Sequence, residues 1–151
     1  MAELKERLRA DLNAAMRARD QVRLRTLRLA LTSITNEEVA GASARDLTDD
    51  EVVKVLTREA RKRREAAEAF SAAGRSDQAA AERAEGEVLA GYLPAQLSDD
   101  ELAALVDAAI TETGASRMSG LGQVMKTVTP RVAGRADGAR VAAEVRRRLS
   151  G

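Results

Sequence analysis

Hydrophobic residues recur every three or four positions along most of the chain, with polar residues between them. This spacing gathers the hydrophobic side chains on one side of a helix, and runs of β-branched residues typical of strands are few. In the first predicted helix the hydrophobic positions are four residues apart: Leu4, Leu8, Leu12 and Met16. That helix is expected to end near Arg19. The whole pattern predicts seven helices and an all-α fold.

Three later helices have comparable hydrophobic stripes. In the second, the stripe is Leu24, Leu27, Leu31 and Ile34. In the fourth, it is Ala81, Ala84, Val88 and Tyr92. In the fifth, it is Leu102, Leu105, Val106, Ala109 and Ile110. Each stripe predicts the side of the helix that packs into a core.

Polar residues and glycines indicate where these helices begin and end. The sequences Thr48-Asp49-Asp50-Glu51 and Ser98-Asp99-Asp100-Glu101 are capping boxes, in which the Glu side chain bonds back to the backbone N–H of the first residue. Asp20 and Ser76 are predicted to cap the second and fourth helices. The predicted helix ends are at glycines: Gly41, Gly74 and Gly114.

The segment from Met118 to Leu149 predicts a short helix, a turn and a basic helix. The stripe of its first helix is Met118, Leu121, Val124, Met125 and Val128. Pro130 is predicted to end that helix, because proline has no N–H and clashes with the preceding turn. Asp137 is predicted to cap the last helix, whose stripe is Val141, Val145 and Leu149. Gly120 and Gly122 at a helix start predict close packing of another helix or, alternatively, close approach of a ligand.

The proline-marked break at Tyr92–Leu97 predicts a domain boundary. Residues 1–93 would form an N-terminal domain of long helices, and residues 94–151 a small domain of three helices. A chain of 151 residues is long enough for this division.

The composition excludes several kinds of chemistry. With no cysteine and no histidine, the chain has no thiol nucleophile, no disulfide and no usual general base at neutral pH. Neither a catalytic constellation nor a cofactor is expected, and capping explains the two acidic clusters without a metal ion. The absence of an N-terminal apolar segment and of any 18-residue apolar run predicts a soluble cytoplasmic protein.

Charge is segregated along the chain, although the formal net charge is only +1. The net charge is +3 for residues 1–75, −8 for residues 76–114 and +6 for residues 115–151. The basic C-terminal third is a candidate for meeting an anion, and ordinary solvated helix surfaces are the alternative.

The best candidate for an anion site is the turn Gly134–Gly138, because a helix N-terminus presents unpaired N–H groups. The alternative is a turn and cap with no ligand, since the carboxylate of Asp137 would occupy the same place. The candidate RNA- or anion-binding residues are Lys126, Arg131, Arg135, Gly138, Arg140 and Arg147.

Two further basic clusters lie in the first half of the chain. Glu59 and Arg63 are four residues apart on the predicted hydrophobic side of the third helix, where they form a structural ion pair or, alternatively, contribute to a ligand site. Arg58, Arg61 and Arg64 fall on its opposite side. The second cluster lies at the junction of the first two helices, where it either forms an exposed polar face or binds a ligand. Its members are Arg17, Arg19, Arg23, Arg25 and Arg28.

The sequence resembles the YqeY family over almost its whole length. The motifs that carry the resemblance are Arg58–Arg63, Ala73–Arg75, Tyr92–Ser98 and a C-terminal set: Gly120, Gly122, Val124, Met125, Lys126, Pro130, Gly134, Arg135, Ala136, Asp137, Gly138 and Val141. The last third is also similar to the tail domain of GatB, the tRNA-handling subunit of the tRNA-dependent amidotransferase.

These resemblances imply an all-helical protein with a three-helix tail domain and an interaction with tRNA or another structured RNA. They favour a non-catalytic RNA-binding or accessory module. An enzyme or accessory subunit of carbon–nitrogen ligation with glutamine as amido donor is an alternative, with amidotransferase or aminoacyl-tRNA synthetase components as possible partners. A helical protein–protein adaptor is a second alternative.

Overall fold

A computed structural model describes residues 2–150, and these residues confirm the all-α prediction, with 78% of them helical and no strand among them. Within this range, seven α-helices follow one another, with a short 3-10 helix at Met118–Gly120 before the sixth. The α-helices are α1 (Glu3–Ala18), α2 (Gln21–Glu38), α3 (Asp49–Ala72), α4 (Ser76–Ala90), α5 (Asp99–Thr113), α6 (Leu121–Val132) and α7 (Gly138–Ser150).

Most of the predicted caps are confirmed. Both capping boxes form, with Thr48 accepting from the Glu51 N–H and Ser98 from the Glu101 N–H. The Asp20 carboxylate accepts the Arg23 N–H at 3.1 Å. Two of the predicted helix-ending glycines have left-handed backbone, Gly74 with φ +75° and Gly114 with φ +69°, which only glycine adopts readily.

Three predictions about helix ends were wrong. Helix α2 ends at Glu38 rather than at Gly41. Ser76 is the first residue of α4 and not its cap, because the N-cap position is Arg75. Pro130 does not end α6, which continues to Val132. A proline this close to the end removes only one helical hydrogen bond, and burial of Val128 and Val132 holds the last turn in place.

Two predicted hydrophobic surfaces also differ from the structure. Ala81 and Ala84 of α4 are exposed, and the buried side of that helix contains Ala79, Glu85 and Leu89. Met118 is 42% exposed, because it lies in the 3-10 helix before α6 begins. The remaining members of the α6 stripe face the core and are buried or partly buried: Leu121, Val124, Met125 and Val128.

Residue contacts divide the chain into two compact units, Met1–Leu93 and Pro94–Gly151. The boundary falls in the Tyr92–Leu97 break, and a division into two independently folding domains stays a prediction. In the first unit, α1 to α4 pack around a core drawn from all four helices. Its buried residues are Leu8, Leu27, Ala30, Ile34, Leu47, Val52, Val55, Leu56, Leu89 and Tyr92.

Tyr92 fixes the end of the first unit to its first two helices. Its hydroxyl donates a 2.5 Å hydrogen bond to Asp11 Oδ2 and accepts one from Arg23 at 3.2 Å. The guanidinium of Arg7 lies over the ring, 4.7 Å from its centre. Burial, followed by the bond to Asp11, raises the pKa of Tyr92 to about 12, so the hydroxyl stays a donor at neutral pH.

In the second unit, α5, α6 and α7 pack on one another around a core without aromatic residues. Its buried residues are Leu97, Leu102, Val106, Ala109, Val124, Val128, Val132, Ala136, Val141, Val145 and Leu149. Among residues 2–150, no helix combines the length and the apolar character that crossing a membrane requires.

Candidate nucleic-acid interface

The acidic residues of α5 pair with arginines that follow in the same unit. Four of the five carboxylates of α5 contact four guanidinium groups. The pairs are Asp99–Arg140 at 2.7 Å, Glu101–Arg135 at 3.9 Å, Asp107–Arg148 and Glu112–Arg131. The positive charge of residues 115–151 is therefore largely balanced by α5, and the segregation along the sequence reflects pairing within the fold.

Two of these contacts also change the acidity of the carboxyl groups. The hydrogen bond from Arg131 lowers the pKa of Glu112. The pKa of Glu101 is lowered mainly by the backbone N–H of Ser98 in the capping box, with a smaller contribution from Arg135. Both carboxyl groups are thus held in the charged form that an arginine partner requires.

Arg135 and Arg140, both predicted as anion ligands, hold the segment that leads into α5. The Nε of Arg135 donates to the Ala95 carbonyl at 3.0 Å, and a nitrogen of Arg140 donates to the Leu97 carbonyl at 2.8 Å. The backbone N–H of Leu97 in turn donates to the Arg135 carbonyl at 2.7 Å. These bonds close the connection between the start of α5 and the turn before α7, so both side chains have a structural role.

Arg147 is paired within its own helix. Its Nε and a terminal nitrogen donate to the two oxygens of Glu144, at 3.1 and 2.7 Å. This bond lowers the pKa of Glu144. Four of the candidate residues, Arg131, Arg135, Arg140 and Arg147, therefore already have a partner in the unit.

Lys126 differs from these arginines, since it is exposed and has no ion-pair partner in the described part of the chain. Two other cations of the unit, Arg117 and Arg146, are exposed and unpaired within residues 2–150 as well. Neither was among the ligands predicted from the sequence. The sequence could have indicated that Lys126 and Arg146 lack a partner on their own helix, because neither has an acidic residue three or four positions away.

The unpaired cations of α6 and α7 lie on the sides of these helices that point away from α5. At about 100° per residue, Lys126 lies roughly 140° around α6 from Arg131, which contacts Glu112 of α5. On α7, Arg146 lies roughly 160° from Arg148, which contacts Asp107 of α5. On each of these two helices the acids of α5 therefore neutralise one side and leave a cation on the opposite side.

The three glycines around this surface have different surroundings. A Cβ at Gly120 would lie 2.7 Å from the Cβ of Ala115, so close packing explains that glycine. A Cβ at Gly122, one turn before Lys126, would meet nothing within 4 Å, and packing does not explain it. Gly138 is similarly open, but the carboxylate of Asp137 accepts the next N–H, that of Ala139, at 3.1 Å. Asp137 thus caps α7 as predicted.

In the first unit, Glu59 and Arg63 belong to a larger network of charges. Their closest approach is 3.8 Å, and Arg63 also contacts Glu85 at 3.4 Å and Glu82 at 3.5 Å. Glu59 is buried and accepts a 3.0 Å hydrogen bond from Ser33. The pair is therefore in contact, with Arg63 shared among three carboxylates on α3 and α4.

The arginines at the junction of α1 and α2 divide into two groups. Arg23 bonds to Tyr92, and Arg25 bonds to Glu85 at 2.7 Å. Arg17, Arg19 and Arg28 have no ion-pair partner within residues 2–150. On α3, by contrast, the exposed Arg58 contacts Glu37 at 3.5 Å.

In the acidic clusters at the starts of α3 and α5, Glu51 and Glu101 belong to the capping boxes. Among residues 2–150 there is no group of three or more His, Cys, Asp or Glu side chains with the geometry of a metal site. The described residues therefore define an all-helical protein with a basic side on its C-terminal unit. The model of the YqeY-like proteins matches residues 5–149, and the chain belongs to this family. No curated protein matches the sequence.

Proposed function

We propose that this YqeY-family protein is a non-catalytic RNA-binding module, with tRNA or another structured RNA as its ligand. The phosphates would contact the side of α6 and α7 that points away from α5. The resemblance of the last third of the chain to the GatB tail domain supports RNA as the ligand class.

One observation carries the proposal: Lys126 and Arg146 are exposed, have no ion-pair partner within residues 2–150, and each lies on the side of its helix opposite the arginine that pairs with α5. Arg117, just before the 3-10 helix that contacts both α6 and α7, adds a third. Exposed cations without an acidic partner attract phosphates, and each phosphate contact releases condensed counterions.

The chemistry of this surface favours recognition of backbone and shape over recognition of bases. Residues 94–151 contain no aromatic residue, so they offer no platform on which a base can stack. Contacts to phosphates carry little sequence information. The open backbone at Gly122 supports close approach of an RNA strand beside Lys126.

The test is retention of tRNA by the purified full-length chain at about 50 mM salt, a concentration at which phosphate contacts are strong. The double variant Lys126→Glu/Arg146→Glu should weaken binding on tRNAs of different sequence alike. It should also reduce the steepness of log K against log salt by about 0.7 to 0.9 for each phosphate that the variant no longer neutralises. The matched control is Arg75→Glu, which reverses an exposed, unpaired arginine in the first unit. It is compared with each single variant, Lys126→Glu and Arg146→Glu, because all three change the net charge by the same amount.

Absence of tRNA retention by the wild-type chain at low salt would overturn the proposal. Equally weakened binding in Arg75→Glu would also overturn it, since binding would then depend only on net charge. If the double variant bound normally while Arg28→Glu did not, the RNA surface would be in the first unit instead.

A further inference from the structure

A recess of about 260 Å³ lies on the outer side of α2. Its lining residues are Gln21, Leu24, Arg25 and Arg28. These positions are three, four and seven residues from the first, so they share one side of the helix. The partly buried Leu24 supplies an apolar floor between two guanidinium groups and a side-chain amide.

The side chain of Arg25 is held in position by an ion pair with α4. Its Nε donates to Glu85 Oε1 at 2.7 Å, and that carboxylate is only 9% exposed. The other oxygen of Glu85 contacts Arg63 at 3.4 Å, which fixes the carboxylate in turn. The Arg25 side chain is still 60% exposed. An arginine tethered through Nε keeps its outer edge available and loses little further freedom on binding an anion.

Arg28 supplies the second charge, on the same side of the helix one turn beyond Leu24. It is exposed and has no ion-pair partner in the described part of the chain. From Gln21 to Asn36, α2 contains three arginines and no acidic residue. Arg25 is paired with Glu85 of α4, so the unpaired positive charge of the recess, beside its apolar surface, is that of Arg28.

We propose that this recess binds one nucleotide through its phosphate. Two guanidinium groups separated by less than one helical turn suit the oxygens of a phosphate, to which arginine donates paired hydrogen bonds. The Leu24 side chain would pack under the sugar or base, and the Gln21 amide would bond to its polar edge. At about 260 Å³ the recess is smaller than pockets that enclose drug-sized ligands, roughly 300–1,000 Å³, so it would hold the phosphate and the adjoining part of the nucleotide and leave the rest exposed. This site does not depend on the α6–α7 surface.

The nucleotide is either a free mononucleotide or one unit of an RNA strand. The experiment titrates the full-length protein with inorganic phosphate, AMP and a hexa-adenylate RNA, following the side-chain amide of Gln21 and the methyl groups of Leu24 by NMR. AMP should move both signals saturably, and phosphate should bind more weakly because it lacks a group to pack on Leu24. Movement with the hexanucleotide but not with AMP would identify an RNA strand as the source.

Arg28→Glu should weaken nucleotide binding at least about tenfold, the decrease expected for one charge-assisted hydrogen bond. Arg75→Glu and Lys126→Glu/Arg146→Glu should leave it unchanged, which separates this site from the proposed RNA surface. The assignment is overturned if neither AMP nor the hexanucleotide moves the two signals, or if Arg28→Glu binds as tightly as the wild type. Binding of an oligoglutamate peptide in place of both nucleotides would also overturn it.

Discussion

The ammonium group of Lys5 donates to both carboxylate oxygens of Glu38, at 2.7 and 2.9 Å, and both residues are buried. Glu38 is the last residue of α2, and its carboxylate also accepts the Leu47 N–H at 3.3 Å. The pair therefore joins the start of α1 to the connection between α2 and α3. The bond from Lys5 lowers the pKa of Glu38.

Lys5→Ala should lower the free energy of unfolding by about 3–5 kcal/mol, because it leaves a buried carboxylate without its cation. Urea unfolding measures the change. The control is Arg58→Ala, which breaks the pair with Glu37 whose two side chains are each 44% exposed. Exposed pairs contribute at most about 1 kcal/mol, so equal destabilisation in the two variants would show that burial of Lys5 is unimportant.

The Arg45–Glu51 pair should make stability depend on pH in acid. The hydrogen bond from Arg45, followed by the bond to the Thr48 backbone, lowers the pKa of Glu51 from 4.5 to about 2. Between these values the unfolded chain binds more protons at this group than the folded protein does. The free energy of unfolding should thus fall as the pH falls through this range. Glu51→Gln should flatten the plot of unfolding free energy, measured with urea, against pH. An unchanged slope would contradict the role of the Arg45–Glu51 pair in this pH dependence.

Arg140→Ala should destabilise the protein by about 1–2 kcal/mol, because the Leu97 carbonyl loses a charged donor at 2.8 Å. Arg146→Ala, which removes an unpaired side chain of the same helix, should leave stability unchanged but weaken RNA binding. Thermal unfolding and tRNA retention of the two variants measure these opposite effects. Equal stability of both variants would show that Arg140 has no structural role.

Arg63→Ala should destabilise the first unit more than Glu59→Ala does. Removal of the arginine takes the shared cation from Glu59, Glu82 and Glu85. Glu59 keeps Lys62 and Glu85 keeps Arg25, so the cost should be roughly 3 kcal/mol, the low end of the range for a broken buried pair. Removal of Glu59 leaves Arg63 with two carboxylates, so the destabilisation should be smaller. A double-mutant cycle by urea unfolding measures the coupling, and the reverse order would mean that Ser33 and Glu59 form the stronger contact.

The two glycines before and within α6 should respond oppositely to alanine. Gly120→Ala places a Cβ 2.7 Å from Ala115 and should cost about 1–3 kcal/mol. Gly122→Ala meets nothing and should stabilise the helix by about 0.5–1 kcal/mol. If the open backbone at Gly122 serves RNA, the second variant should bind tRNA more weakly despite its higher melting temperature.

Local signals in the sequence were enough to predict the helices. Thr48 and Ser98 form capping boxes with nearby residues alone, and Gly74 and Gly114 end helices through their own backbone freedom. Hydrophobic stripes predicted less well where the spacing drifts. A strict four-residue spacing moves around the helix by about 40° per step. Met16 is consequently 48% exposed and Ala15 is buried in its place.

Contacts between residues that are far apart in the sequence could not be predicted from it. The buried side of α4 includes Glu85, which the hydrophobic pattern cannot indicate because its partners, Arg25 and Arg63, come from other helices. The same holds for Arg135 and Arg140, whose partners precede them by about forty residues. Their basic character suggested a ligand, and the fold supplies carbonyl and carboxylate oxygens instead.

The acids of α5 also act as competitors for any ligand of α6 and α7. An RNA phosphate that reaches Arg131 or Arg148 must first displace Glu112 or Asp107, so one anion replaces another and few counterions are released. Salt weakens the displaced ion pair as well as the new bond to the phosphate. The salt dependence of RNA binding should therefore report the number of unpaired cations, and it should become steeper when α5 carboxylates are replaced by amides.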